Sequence, residues 1–281
     1  MSADEGITVL LTNDDGGTAI GLMAARQALI VEGMRVIVVA PDGNRSAIGH
    51  AITSRDALRV TLMNEDSEHP IYFCSGTPAD CVRVGLLSGI ANTSRVVVSG
   101  INHGINLGDD IHYSGTVAAA AEAALLGLPA IAASQHSNDI GLSFILGSPP
   151  KTFPFAPFVA RTANWLARNP LPPRQLLNIN MPASLNGPNA VLSELGVRNW
   201  NQVHLDVEYI DSGEFRVLPW VTNPTHDLAL GSDFTTVAGG FVSVSLLSAV
   251  GGLVGLGPEC WSALEGLDLT VASSRPTRTN L

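Results

Sequence analysis

Through the first two thirds of the chain, short aliphatic and β-branched runs alternate with longer stretches of helical periodicity, which predicts a parallel sheet covered by helices. Ile7 to Leu11 (ITVLL) and Arg35 to Pro41 (RVIVVAP) read as the first two strands, joined through a helix around Gly21 to Glu32. IYFCSG follows, then a helix opened by Pro78 with Asp80 in its first turn, where a negative charge suits the helix dipole. RVVVSG (Arg95 to Gly100), PAIAAS (Pro129 to Ser134) and LLNINMP (Leu176 to Pro182) supply three more strands, and helices are expected from Ser114 to Leu126 and from Phe155 to Asn169. The runs are apolar on successive residues rather than alternating, as strands buried on both faces should be. Strand-helix-strand crossovers are right-handed in nearly all sheets, so the expected fold class is α/β with a doubly wound, mostly parallel sheet.

Beyond Pro182 the texture changes. VHLDVEYID, EFRVLPWV and GFVSVSLL read as strands within Val191 to Leu247, with Ser212 and Gly213 marking a hairpin turn. A Gly-rich and then polar end follows, whose last residues SSRPTRTNL look frayed. The division this suggests is an α/β core at 1–185, a β-rich arm with a return strand at 186–250, and a tail at 251–281.

Composition narrows the function classes. Of 281 residues, 46% are hydrophobic and 14% charged, enough apolar material for one large core. The formal net charge is −10 and Lys151 is the only lysine, which argues against a surface for the backbone of a nucleic-acid duplex. A small anionic substrate would instead need a local solution, such as a metal ion or a helix N-terminus. Three cysteines, Cys74, Cys81 and Cys260, lack paired zinc-type spacing and read as reduced and structural, which favours the cytoplasm. The start is acidic, unlike a secretory signal, and apolar stretches such as Val117 to Leu126 are short and interrupted by Glu122, so no membrane span is expected.

In an open α/β sheet the ligand site lies beyond the carboxyl ends of the strands, so the polar residues that follow each strand are the candidates. Strand one runs into Thr12-Asn13-Asp14-Asp15-Gly16, strand two into Asp42-Gly43-Asn44-Arg45-Ser46, and a later strand into Ser99-Gly100-Ile101-Asn102-His103-Gly104. Adjacent carboxylates repel unless a cation joins them, and oxygen donors from Asp, Ser and Asn suit Mg²⁺, Mn²⁺ or Ca²⁺ better than zinc. Taken alone, Asp-Asp-Gly is more often an Asx-turn or a helix cap; the other strand ends move the balance toward metal. Ser114, Gly115 and Thr116 open a helix of small residues, where free N–H groups and two hydroxyls could cradle phosphate or simply cap the helix. Asp109 and Asp110 fit solvated or structural roles equally well. His50, His103, His112 and His136 read as solvated or hydrogen-bonded rather than catalytic, Trp200 and Trp220 as packing against a partner, and Arg45 as either a phosphate contact or a surface residue.

TNDDG, APDGNRSAIGHAIT, SGTPADCV, VVSGINHGINLGDDIHYSGTVAAAAEAALLGLPAIAAS and NINMP, in that order, resemble the SurE survival-protein family, and the likeness resumes in GSDFTTVAGGFVSVSLL. The resemblance implies a Rossmann-like core, a β arm exchanged in homodimers or homotetramers, and a 5′/3′-nucleotidase that hydrolyses nucleoside monophosphates or other small phosphomonoesters with one divalent ion per subunit. Carried over by position, Asp14, Asp15, Ser46 and Asn102 match the metal ligands, and Asn106 with Ser114, Gly115 and Thr116 the phosphate contacts. Ile20 after Ala19 and Gly43 before Asn-Arg-Ser depart from the family pattern without removing a ligand. The chemistry expected is attack by a water whose pKa the ion lowers, with Asp14 or Asp15 orienting or deprotonating it; attack by a carboxylate ranks second.

Overall fold

The computed structural model describes residues 6–64, 66–137, 142, 150–186, 190–211, 213–218 and 224–250. The readings of Ser212, Trp220, Cys260 and the tail fall outside the described residues. In chain order the elements are β1 (Thr8–Thr12), α1 (Ile20–Val31), β2 (Arg35–Pro41), β3 (Val60–Leu62), β4 (Ile71–Cys74), α2 (Pro78–Leu87), β5 (Val96–His103), a 3-10 turn (Gly108–His112), α3 (Gly115–Leu125), β6 (Ala130–Gln135), α4 (Ala156–Arg168) and β7 (Gln175–Met181). Then come β8 (Ala190–Leu192), β9 (Arg198–Asn199), a second 3-10 turn (Trp200–Gln202), β10 (Asp206–Asp211), β11 (Glu214–Leu218), β12 (Thr225–His226), α5 (Asp233–Ala238) and β13 (Val242–Ser248).

Nine strands form the main sheet in the order β3-β4-β2-β1-β5-β6-β7-β13-β8. The run from β4 to β7 is parallel, while β3 and β13 are antiparallel to β4 and β7. Successive strand residues point to opposite faces, and both faces are covered. Val9, Leu11, Val36 and Val38 pack with Leu22 and Leu29 of α1 and Val159 and Leu166 of α4. Leu10, Ile37 and Val39 pack with Val82 of α2 and Val117 and Ala120 of α3. This is the doubly wound α/β fold expected from the run pattern. Among the described residues, no helix is long and apolar enough to cross a membrane.

GFVSVSLL, the return strand expected after the arm, lies in the main sheet, where Ser243 to Ser248 pair with Asn180 to Gln175 of β7. The differences lie where tertiary context outweighs local pattern. The short strand β8, unread in the sequence, runs parallel beside β13. Helix α5 was also unread; six residues carry too little periodicity to show, although Ser232 caps it through Thr235 N–H. The strand expected to end at Gly100 continues to His103, with a register shift between Ser99 and Asn102. Such a bulge re-aims the side chains that follow it.

Candidate active site

The carboxyl ends of β1, β2 and β5 lie side by side because these strands are parallel neighbours. The Asp14 carbonyl accepts the Arg45 N–H at 2.7 Å, and the Gly17 N–H reaches the Pro41 carbonyl at 2.8 Å, so the first two loops are stitched together. Gly16 has φ +100°, and a Cβ there would lie 3.1 Å from the Gly43 carbonyl carbon, so the approach needs glycine at that position. Both loops therefore hold Asp14, Asp15 and Ser46 in one neighbourhood.

Asp14 is buried and points at the start of α3, where Thr116 Oγ1 donates to Oδ1 at 2.6 Å and Thr116 N–H to Oδ2 at 3.1 Å. A Cβ on Gly115 would come within 2.8 Å of the Asp14 Cβ, so only glycine lets this helix end close on the carboxylate. Asp15 Oδ2 accepts the His103 N–H at 2.9 Å, which ties β1 to the end of β5. One residue earlier on β5, the Asn102 amide donates to the Gly104 carbonyl at 3.0 Å, leaving its own oxygen for another partner. The Ser46 N–H is held by Asn44 Oδ1 at 2.8 Å, an Asx-type turn that leaves the Ser46 side chain half-buried and its hydroxyl uncommitted among the described residues.

The two hydroxyls expected to face an anion differ. Thr116 donates its proton to Asp14, whereas Ser114 Oγ caps α3 by accepting the Val117 N–H at 3.0 Å and keeps its own proton to donate. Beside it the Gly115 N–H, in the first turn of α3, has no partner among the described residues. Asn106 is clamped more firmly than the sequence suggested. Its N–H donates to Asn180 Oδ1 at 2.7 Å, its carbonyl accepts from Asn178 Nδ2 at 2.9 Å and Asn180 Nδ2 at 3.0 Å, and its amide donates to Ser134 Oγ at 2.7 Å. Asn178 and Asn180 were not singled out. The available signal was Asn-Ile-Asn at the carboxyl end of an apolar strand, two amides on one face at a spacing of two.

Several other residues singled out have contacts within the chain. Arg45 pairs with Asp42 at 2.9 Å in solvent, and His50 Nε2 lies 2.9 Å from Glu122. Trp200, read as packing on a partner, stacks edge-on against Tyr113 of its own chain with centroids 5.6 Å apart. Asp109 and Asp110 are structural, accepting from Arg198.

The model of the family "Survival protein SurE" matches residues 9–202. The chain belongs to the SurE family. A SurE relative from Geotalea uraniireducens, named 5'-nucleotidase SurE, is 39% identical over 243 residues, spanning 85% of this chain and 92% of that protein. Another of the same name from Geobacter sulfurreducens is 39% identical over 247 residues, covering 86% and 87% respectively. The crystal structure of the SurE protein from Aquifex aeolicus superposes with a TM-score of 0.65 at 31% identity, over 90% of this chain and 96% of that one.

The oxygen side chains gathered at these strand ends have the chemistry a hard divalent cation prefers. Burial pushes the Asp14 carboxyl up to about 6, helped by the neighbouring Asp15 charge and opposed by Thr116. Burial likewise raises Asp15 against the His103 N–H. Two carboxylates that resist ionising side by side become compatible once a cation lies between them. Among the described residues no group of three His, Cys, Asp or Glu side chains could hold a metal, so a cation here would need neutral oxygens as well. Asp15 Oδ1, the Ser46 hydroxyl and the Asn102 carbonyl oxygen are the uncommitted atoms, and a carboxylate that already accepts two bonds, as Asp14 does, retains lone pairs.

Proposed function

We propose that this chain is a metal-dependent 5′/3′-nucleotidase, removing phosphate from nucleoside monophosphates, with Asp14, Asp15, Ser46 and Asn102 holding one Mg²⁺ or Mn²⁺. The observation that carries the reading is the convergence of an oxygen-only donor set from three strand ends on the start of α3, beside an unpartnered backbone N–H. When bound, the ion supplies positive charge to a phosphate oxygen and lowers the pKa of water. Asp14, held through both oxygens by Thr116, fixes the geometry of the site. Asp15 keeps Oδ1 free and is the group that orients the attacking water and takes its proton. Asn106, immobilised by Asn178, Asn180 and Ser134, and the Gly115 N–H at the positive end of α3 hold the remaining phosphate oxygens as charge develops.

The arm belongs to the same proposal. β10 and β11 form a separate two-stranded sheet, and Tyr209, Ile210 and Phe215 on it are exposed. An isolated hairpin is marginal in water, so a second copy of the chain covers it, in a homodimer or homotetramer built by arm exchange. The free, buried thiols Cys74 and Cys81 fit a reducing, cytoplasmic setting.

The deciding experiment is phosphate release from a panel of nucleoside 5′- and 3′-monophosphates by purified protein with Mn²⁺. Release from both series supports the reading; turnover of neither, by folded and metal-loaded protein, sinks it.

A further inference from the structure

The phosphate contacts assigned above sit at the two ends of one segment, Asn106 at its start and the Gly115 N–H of α3 at its end. Between them runs the 3-10 turn Gly108–His112, which belongs to no strand of the main sheet. Something outside the sheet must therefore fix its position. The Arg198 side chain is fully buried, and its guanidinium grips Asp110 with both prongs, Nε to Oδ1 at 2.9 Å and Nη2 to Oδ2 at 2.6 Å. The Arg198 N–H donates to Asp109 Oδ2 at 2.8 Å, and Nη1 donates to the Leu142 carbonyl at 2.9 Å. The guanidinium carbon lies 4.7 Å from the Phe234 ring centre.

Asp233 completes the joint, accepting the Gly108 N–H at 2.8 Å and the Gly196 N–H at 2.9 Å. The fit is close. A Cβ on Gly108 would lie 2.5 Å from the Gly196 carbonyl oxygen, and one on Gly196 would lie 2.4 Å from Phe234. Arg198 begins β9, opposite His226 of β12, where the chain departs for the hairpin and comes back. A buried ion pair is a poor source of net stability, because desolvation offsets attraction. What a two-pronged pair supplies is orientation, since the planar fork meets a carboxylate in few geometries.

We infer that Arg198 is a positioning residue for phosphate: through Asp110 it sets the height of the turn that joins Asn106 to the Gly115 N–H at the start of α3, without touching the metal ligands. The inference rests on the assignment of Asn106 and the α3 start to phosphate. The alternative is that Arg198 only fastens the root of the arm to the core.

Calorimetry on the Mn²⁺-loaded protein with inorganic phosphate as the probe separates the two, with Mn²⁺ affinity measured in parallel. Arg198→Lys keeps the charge and loses the fork, and is expected to weaken phosphate binding about tenfold while leaving Mn²⁺ affinity at its native value. Combined with Asn106→Ala, the losses should be less than additive, because both changes act on one contact. Additive losses overturn the inference. So does native phosphate affinity in a folded Arg198→Lys protein, or a parallel loss of Mn²⁺ and phosphate, which is what general loosening produces. Asp110→Asn repeats the cycle from the other end of the pair if the lysine variant does not fold, with the same outcomes deciding. Native phosphate affinity in Asn106→Ala alone would instead overturn the site assignment beneath the inference, whatever the Arg198 variants do.

Discussion

The strand-end site and the β10–β11 hairpin are built on opposite terms. At the site, Asp14, Asn102, Asn106, Ser114 and Thr116 are buried, and each makes a hydrogen bond to another segment or to its own loop. On the hairpin, Tyr209 is 85% exposed, Ile210 60% and Phe215 57%, and the ring contact recorded for Tyr209 is with Phe215 of the same hairpin. One region is satisfied by its own chain and the other is left with apolar surface that the described residues do not cover. Chemistry should thus depend on single atoms at the site, and assembly on area at the hairpin.

The largest effect expected is at the site. Asp15→Asn removes a charge from the donor set and the free oxygen assigned to water, at nearly constant volume. Turnover of an aryl phosphate should fall by several kcal/mol of barrier, roughly three orders of magnitude. Sedimentation should show assembly unchanged; an Asp15→Asn enzyme with native turnover, or one that falls apart into monomers, would break the separation between the two regions.

The complementary change is Tyr209→Glu with Phe215→Glu. Placing charge on both rings should dissociate the oligomer while the thermal midpoint of the core moves little, because neither side chain is buried in the monomer. The measurement is mass by analytical ultracentrifugation at several concentrations. An unchanged oligomer would mean that the hairpin is not the contact.

How much of this was legible follows the same division. The site's skeleton could be read because glycine turns and oxygen side chains at strand ends announce themselves locally, as in Asn13-Asp14-Asp15-Gly16 and Ser99-Gly100-Ile101-Asn102. The partners of those side chains could not. Thr116 reaches Asp14 across 102 positions, and Arg198 reaches Asp110 across 88. No local pattern encodes such pairings, so the Thr116 brace on Asp14 could not be read, whereas the Ser114 cap, three residues long, could. The sheet was legible for β1, β2 and β4 to β7, where apolar runs are unbroken. It was not for β3, β8, β9 and β12, two or three residues each, whose pairing comes from the strands they lie beside.

The joint between the two regions offers a pH-dependent test. Burial, reinforced by the Asp110 charge, pushes Asp233 up to about 6 against its three backbone N–H donors. The folded protein therefore holds this proton more tightly than the unfolded chain. The Asp233 contribution to stability is fullest below the ordinary value of 3.8, declines as pH rises toward 6, and is level above that. Relative to Asp233→Asn, wild-type stability should decline across this window by at most about 3 kcal/mol, read from urea midpoints at pH 4, 5, 6 and 7. A difference that grows with pH instead would show that the N–H donors outweigh burial.

The smallest effect sharpens the reading of α3. Ser114→Ala should cost about 1 kcal/mol of stability, the worth of an N-cap, with Mn²⁺ affinity unchanged. Loss of Mn²⁺ binding in this variant would move Ser114 into the donor set.

The most direct test of the central claim is phosphate release from a nucleoside 5′-monophosphate by the purified protein before chelation, after removal of divalent ions, and after Mn²⁺ is returned. The account predicts that activity is lost on chelation and restored by Mn²⁺ in the wild type but not in Asp15→Asn. Full turnover by the stripped wild-type protein, or restoration in the variant equal to that in the wild type, would contradict it.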